Sequence, residues 1–330
     1  MRIVVVHPAF LGDTVFLGPA VRALKARWPE GRVAICTTPR GAPVARLLPG
    51  CDEVLVFDKR RADRGLFGLL RAGRRLRAFA PDLALVSHYS LRSGALAWLS
   101  DARRRIGYPS LFCTERVRLD RTRPFVERAL RLAGLAGAPV DDRTLALAAP
   151  EECRSYADQI LLGVNGPVVG LVPGAEWETK RWGAERWAAL AAQLHQGGLN
   201  LVILGGPAER ALAARIRELA GVPAIDTTGN SIVEAIALLA RCDLVVGGDT
   251  GLVHCARALG RRTTILFGPT NPARHVFSAR DTPVQLGLEC QPCHGHGPER
   301  CPLQHHHCMT RLEPATVAGA VRTLLDHSTS

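Results

Sequence analysis

The chain has 330 residues, 47% hydrophobic and 22% charged, which excludes a disordered polymer and leaves room for two ordinary domains with their own cores. Aromatics make up only 5%, so cores of Leu, Val and Ala suited to α/β layers are expected. The formal net charge is +12, no apolar run reaches the ~20 residues of a membrane span, and MRIVVVHPAF is too short an apolar run for a signal peptide; a cytoplasmic protein with an anionic partner is expected.

From the amino terminus, Ile3–Val6 reads as a strand and Thr14–Arg27 as a helix that stops at Trp28-Pro29. Val33–Cys36, Val54–Phe57 and Leu83–Val86 read as further strands, with helices over Leu66–Phe79 and Arg92–Leu99. This rhythm predicts a parallel sheet. Residues 136–167 carry AGAPVDDRT, an apolar-poor helix from Glu151, and Val164-Asn165-Gly166-Pro167. A domain boundary is placed there, giving domains over 1–165 and 166–330. The rhythm then restarts, with strands at Val168–Val172, Leu199–Leu204, Leu244–Val246 and Thr263–Phe267. Helices are expected over Ala184–His195, Ala208–Leu219, Ile232–Ala240, Leu252–Leu259 and Pro314–Asp326. Two doubly wound sheets predict an α/β protein with a ligand cleft between them, since ligands of open α/β sheets bind beyond the carboxyl ends of the strands.

The stretch VVGGDTGLVHCARALG, residues 245–260, puts Gly247 and Gly248 where a strand must turn. Asp249 and Thr250 follow as candidate caps of the next helix. The first amides of that helix, near Gly251 and Leu252, lack intrahelical partners and, with the helix dipole, form a site for phosphate. Gly251 lets a ligand approach, and His254 lies in the first turn. A plain Asp cap on a core helix is the alternative; the combination with His254 favours the phosphate site. In HPAFLGDTVFLGPA, Asp13 lies past the first strand, where a carboxylate can accept a proton from an acceptor hydroxyl or merely cap a helix. In PGAEWETKRWGAERWAAL, Lys180 and Arg181 precede a helix; a cation there can neutralise a leaving diphosphate, or belong to a solvated basic pair. Glu209, in GGPAER, can bind ribose hydroxyls or cap its own helix. No Asp-x-Asp pair occurs, so a metal clamp on a diphosphate is not indicated.

Together LGDTVFLGPAVRALKARWP, PGAEWETKRW, GGDTGLVHCARALG, FGPTNPARHVF and the CQPC…C…CM tail resemble the bacterial ADP-heptose:lipopolysaccharide heptosyltransferases of glycosyltransferase family 9, over nearly the whole chain and nearer the branch that adds the second heptose. The resemblance implies the GT-B fold: two Rossmann-like doubly wound domains facing a central cleft, 1–165 for the acceptor and 166–330 for the nucleotide sugar, with the last helix packing back on the first. It implies Asp13 as catalytic base, Lys180 at the sugar-nucleotide phosphates, and Glu209 at the ribose. Asp249, Thr250, Gly251 and His254 are implied at the heptose and diphosphate, with Thr179 also among the donor-binding residues. The donor is then ADP-heptose, no cofactor is required, and the anomeric carbon is inverted as ADP departs, stabilised by Lys180 and the helix amides.

Residues 1–150 hold 26 Lys and Arg against 13 Asp and Glu, a surplus of +13, while residues 151–330 hold 16 against 17. A preference for Arg over Lys explains the residue type but not the split. The acceptor implied by the resemblance, the phosphorylated inner core of lipopolysaccharide, fits the split. Lys59, Arg60, Arg61 and Arg64 would meet it, with the acidic inner-membrane surface as a peripheral partner. Arg71, Arg74, Arg75 and Arg77 can equally be a solvated helix face, and Arg103, Arg104 and Arg105 are a weaker candidate. The tail spaces Cys290, Cys293, Cys301 and Cys308 as C-x2-C-x7-C-x6-C, among five of the 11 histidines. A structural zinc is one reading and a loop of reduced thiols the other; the resemblance implies no bound metal. Competing functions are a family member with another nucleotide sugar or acceptor, an epimerase of the same fold, and a basic nucleic-acid-binding protein with a Cys/His zinc site. Against the last, the basic and Cys/His parts lie in opposite halves.

Overall fold

The computed structural model describes residues 1–108 and 111–326. The chain divides into two compact units, Met1–Ala148 with Arg274–Val276, and Ala149–Ala273 with the chain from Phe277 onward.

The first unit runs β1 (Arg2–Val6), α1 (Leu11–Val15), α2 (Gly18–Arg27), β2 (Arg32–Thr37), α3 (Ala42–Arg46), β3 (Glu53–Val56), α4 (Gly65–Ala78), β4 (Leu83–Val86), α5 (Leu91–Leu99), β5 (Arg104–Gly107), β6 (Glu115–Arg116) and α6 (Phe125–Leu135). Its strands form one parallel sheet in the order β3-β2-β1-β4-β5-β6. Strand β1 reads as a continuous apolar run because it is central and covered on both faces. Its Val4 and Val6 share a core with Ala72 and Leu76 of α4 and Leu96 and Ala97 of α5. The single helix expected over Thr14–Arg27 is two. Pro19 has no N–H to offer the carbonyl of Val15, so the ladder breaks at Phe16-Leu17 and α2 restarts with Pro19 in its first turn. Helices α4 and α5 lie against each other. A Cβ on Gly73 would stand 2.5 Å from the Leu99 Cβ, and one on Gly68 would stand 2.1 Å from the Asp63 carbonyl carbon. These two glycines therefore set how closely α4 approaches α5 and the turn before it.

The second unit opens with a 3-10 turn, Glu151–Cys153, and α7 (Arg154–Ile160). It continues with β7 (Val168–Val172), a 3-10 turn Glu178–Lys180, α8 (Ala184–Gln196), β8 (Asn200–Ile203), a 3-10 turn Pro207–Glu209, α9 (Arg210–Ala220), β9 (Ile225–Asp226) and α10 (Ile232–Leu239). Then come β10 (Leu244–Gly248), α11 (Gly251–Ala258), β11 (Arg262–Leu266), β12 (Asp281–Val284), α12 (His307–Thr310) and α13 (Pro314–Asp326). The sheet is again parallel, in the order β12-β11-β10-β7-β8-β9. On one face Trp182 and Trp187 stack edge to face at 5.1 Å, with Leu190 and Leu194 beside them, over Val169, Leu171, Leu201 and Ile203. Helix α13 packs on α8 and adds Val317, Val321 and Leu324 to that core.

Each sheet changes winding direction once, between β1 and β4 in the first unit and between β7 and β10 in the second. Adjacent loops leave these strands toward opposite sides and open a crevice at their carboxyl ends. Among the described residues no helix is long and apolar enough to cross a membrane. Gly68→Ala gains helix propensity yet drives a Cβ into backbone, so a net loss of about 1–3 kcal/mol is expected. A melting temperature equal to or above wild type would contradict this packing.

Candidate functional site

At the switch point of the second unit, Lys180 arrives on the turn after β7 and Asp249 on the turn after β10. Lys180 Nζ donates to Asp249 Oδ2 at 2.7 Å and to the Asp249 main-chain oxygen at 3.0 Å. Thr270 Oγ1, on the loop after β11, donates to the same Oδ2 at 2.8 Å, and His254 Nε2 lies 3.0 Å from Oδ1. The Lys180 and Asp249 side chains are 11% and 10% exposed, and an ion pair this buried is stable only with such added hydrogen bonds. Asp249 is thus committed as an acceptor and does not cap α11. Thr250 holds the N-cap position, yet its hydroxyl makes no capping bond and is buried without a hydrogen-bond partner. An ammonium has three N–H groups, and Asp249 takes two of those on Lys180. A remaining ammonium proton, an unspent hydroxyl and the open amides of Gly251 and Leu252 therefore stand together, which is the donor set of an oxyanion site.

A second buried pair supports the first from behind. Arg257 and Asp281 meet at 3.2 Å with 3% and 5% exposure, and Thr263 Oγ1 donates to Asp281 at 2.6 Å. Burial pushes the Asp281 carboxyl up, but the Arg257 charge and the hydrogen bonds from Ser278, Thr263 and Arg257 outweigh it and hold it below the usual carboxylate range. Arg257 Nη1 lies 3.5 Å from His254 Nδ1. A guanidinium cannot accept, so Nδ1 accepts and the imidazole proton sits on Nε2, where it is donated to Asp249. The polar chain Asp281–Arg257–His254–Asp249–Lys180 results. Sequence reasoning missed Thr270, Arg257 and Asp281: the first lies inside the quoted FGPTNP motif, while the other two carry no local spacing signal.

Glu209 lies over the carboxyl ends of β7 and β8, close enough that a Cβ on Gly174 would meet its Cγ at 2.5 Å. Its Oε2 accepts the Gly206 N–H at 2.8 Å and so caps the 3-10 turn Pro207–Glu209 that runs into α9. The Thr179 hydroxyl donates to the Pro298 carbonyl at 2.5 Å, and its own carbonyl meets His306 Nε2 at 2.6 Å. Thr179 therefore anchors the Cys/His segment beside Lys180, while a Cβ on Gly297 of that segment would stand 3.1 Å from the Lys180 Cε. Cys290, Cys293, Cys301 and Cys308 are free thiols. Burial, then the charges of Cys293, Cys301 and Cys290, push Cys308 up to about 11. For Cys301 burial is outweighed by the N–H groups of His306, Leu303, His305 and Gln304, which hold its thiol below the usual value. Among the described residues the four sulfurs do not supply three ligand atoms within 4.8 Å of one another.

In the first unit Asp13 is the third residue of α1, half-buried; the N-cap is Phe10, so Asp13 is not the cap. His7 and Ser87 leave the two switch-point strands, with His7 Nδ1 2.8 Å from Ser87 Oγ. His88 Nδ1 lies 2.9 Å from Ser93 Oγ, and the two imidazoles stand edge to face at 6.0 Å. Lys59 Nζ reaches the Pro8 carbonyl at 3.0 Å, which brings the basic turn to the end of β1. The side chains of Arg60, Arg61 and Arg64 are exposed. Arg71 and Arg75 instead bind the buried Asp63 at 3.2 and 2.7 Å, and Arg77 pairs with Asp101 at 3.1 Å. Arg104 pairs with Glu115, and Arg105 donates to the Phe112 and Ala102 carbonyls. Arg71, Arg75, Arg104 and Arg105 thus build the unit, while Arg74, Arg77 and Arg103 are exposed. Burial, the neighbouring His88 and Lys59 push His7 down to about 3, and burial with Lys59 pushes His88 down to about 4.

Two doubly wound parallel sheets, each with a polar cluster at its switch point, are the architecture of the GT-B glycosyltransferases. The chain belongs to glycosyltransferase family 9 (heptosyltransferase), whose profile matches residues 69–304. Lipopolysaccharide heptosyltransferase 2 of Escherichia coli (strain K12) is 27% identical over 299 residues, 82% of this chain and 84% of that protein. The crystal structure of the glycosyl transferase family 9 protein from Veillonella parvula DSM 2008 superposes with a TM-score of 0.88 at 25% identity, covering 99% of this chain and 97% of that one. E. coli ADP-heptose LPS heptosyltransferase II shares the fold, with a TM-score of 0.80 at 23% identity and 100% of both chains covered. The protein is therefore a transferase, and the nucleic-acid reading gains nothing from its family.

Two measurements check this geometry. The imidazoles of His7 and His88 are neutral in the folded chain and take protons on unfolding below their ordinary value of 6.5. Stability should therefore fall as pH drops from 6.5 toward the folded values, and the His7→Asn/His88→Asn variant should flatten that slope between about pH 6.5 and 4; an unchanged slope would contradict it. Arg257→Ala leaves Asp281 buried without its counter-charge and should cost about 3–5 kcal/mol at neutral pH. The deficit should shrink as acid neutralises Asp281, and a deficit independent of pH would remove the pair from the account.

Proposed function

We propose that the chain transfers heptose from ADP-L-glycero-D-manno-heptose to the phosphorylated inner core of lipopolysaccharide, with inversion, on the cytoplasmic side and peripheral to the inner membrane. The names of the relatives support the sugar and the acceptor. The observation that carries the donor half is the open oxyanion donor set at Lys180, Thr250 and the start of α11. Lys180 and the amides of Gly251 and Leu252 take the diphosphate. Glu209 reaches the ribose, and Asp249 and His254 hold the heptose side of the pocket. In the other unit Lys59, Arg60, Arg61 and Arg64 meet acceptor phosphates. Asp13 takes the proton of the acceptor hydroxyl as its oxygen bonds the anomeric carbon. The bond from that carbon to the diphosphate oxygen breaks on the opposite face, and the charge on departing ADP is met by Lys180 and the amides.

Asp13→Asn should keep the thermal shift given by ADP-heptose and lose turnover about 10²–10⁴-fold; full turnover in that variant would remove Asp13 as base. In a panel of ADP-heptose, ADP-glucose, UDP-GlcNAc and GDP-mannose, a selective stabilisation by ADP-heptose is expected. Selective stabilisation by another member would move the protein to a different donor.

A further inference from the structure

Helices α4 and α5 follow parallel strands, so both begin at the carboxyl edge of the first sheet. Their close approach joins Gly73 to Leu99, each the ninth residue of its helix, so the two first turns stand level side by side. Among the described residues these turns, with Tyr89 two residues before α5, carry large exposed apolar side chains. Leu66 is 68% exposed, Phe67 88%, Tyr89 54% and Leu91 71%. Gly68 lets the turn at Asp63 press against α4 and fixes the tip where Leu66 and Phe67 sit. Around the tip Arg60, Arg61, Arg64 and Arg92 are exposed, and among the described residues none pairs with a carboxylate. Lys59 feels the charges of both Arg60 and Arg92, which places these cations together. The nearby acids are committed inward: Asp58 accepts backbone N–H groups of Arg60, Arg61 and Ala62, and Asp63 is buried under Arg71 and Arg75.

Large apolar tips inside a ring of unanswered arginines do not suit water. Nor do they suit a second copy of the same patch, which would bring four more like charges. They suit a bilayer interface, where guanidinium groups reach lipid phosphates while aromatic and leucine side chains enter the acyl boundary. We propose that the paired amino ends of α4 and α5, with Leu66, Phe67, Tyr89 and Leu91 beside Arg92 and bordered by the acceptor-facing Arg60, Arg61 and Arg64, dock on an anionic lipid surface. The proposal rests on the reading above that the acceptor is lipid-linked, and it adds the surface by which the enzyme meets the membrane that carries it. Such docking would set the acceptor beside β1 and β4, on the same edge of the sheet.

The test is flotation of the full chain with phosphatidylcholine vesicles, with and without phosphatidylglycerol, alongside turnover on a delipidated, water-soluble core acceptor. Wild type should float only with phosphatidylglycerol, and salt should release it. Leu66→Ser/Phe67→Ser should weaken partition about tenfold, with the melting temperature and turnover on the soluble acceptor unchanged. Arg92→Gln should weaken partition about fivefold. Failure of wild type to float, or equal flotation of the double variant, would overturn the proposal. So would a wild-type dimer that the double variant dissociates, since the patch would then be a self-interface. Flotation without turnover on the soluble acceptor would leave the docking surface standing and sink the transfer reading instead.

Discussion

The carboxylate of Asp249 ties three strand-end loops of the second unit together. It takes an ammonium from the loop after β7, a hydroxyl from the loop after β11 and an imidazole from α11. A charge this deep has a desolvation cost of several kcal/mol unless it is paired. The loops are therefore held where the pairing is complete, and the fold gives up some freedom at its switch point to keep it so. The consequence is functional. With Asp249 fully engaged, Lys180 is fixed in position while keeping a proton to donate, and the amino end of α11 is left uncapped. These are the donors on which the proposed diphosphate site rests.

In the first unit the charge has been sorted differently. Arg71, Arg75 and Arg104 are spent on Asp63 and Glu115 and hold loops and edge strands. Arg60, Arg61, Arg64 and Arg92 remain turned to solvent at one end of the sheet. The surplus of basic residues in this half is thus part scaffold and part surface, and net charge by itself cannot tell the two apart. Burial keeps His7 and His88 neutral beside Lys59 even in mild acid, where ordinary histidines would add positive charge.

Much of the fold is legible because a parallel sheet covered on both faces needs continuous apolar strands. Residues 3–6, 168–172 and 244–246 are such runs, and the glycines and polar groups that follow them mark the crevices. What escaped has physical reasons. Strand β5 begins with two arginines whose charges are answered only in three dimensions, by Glu115 and by carbonyls. Strand β12 contains Pro283 and sits at the sheet edge, where a missing N–H is tolerated. Helix α6 is amphipathic, with Val126, Ala129, Leu130 and Ala133 on its buried side, so its helical spacing is present in the sequence. At the site, residue types near strand ends were legible because the topology dictates where ligands bind. The Arg257–Asp281 pair was not, since 24 positions separate its members and each alone reads as a solvated charge.

The most direct measurement is a high-resolution structure of the protein soaked with ADP-heptose, read for the position of the diphosphate. The account predicts its oxygens within hydrogen-bond reach of Lys180 Nζ, Thr250 Oγ1 and the Gly251 or Leu252 N–H, with Asp249 still held by Lys180, Thr270 and His254. A diphosphate seated instead on the Gly205-Gly206 turn, with Thr250 Oγ1 still unpartnered, would contradict it.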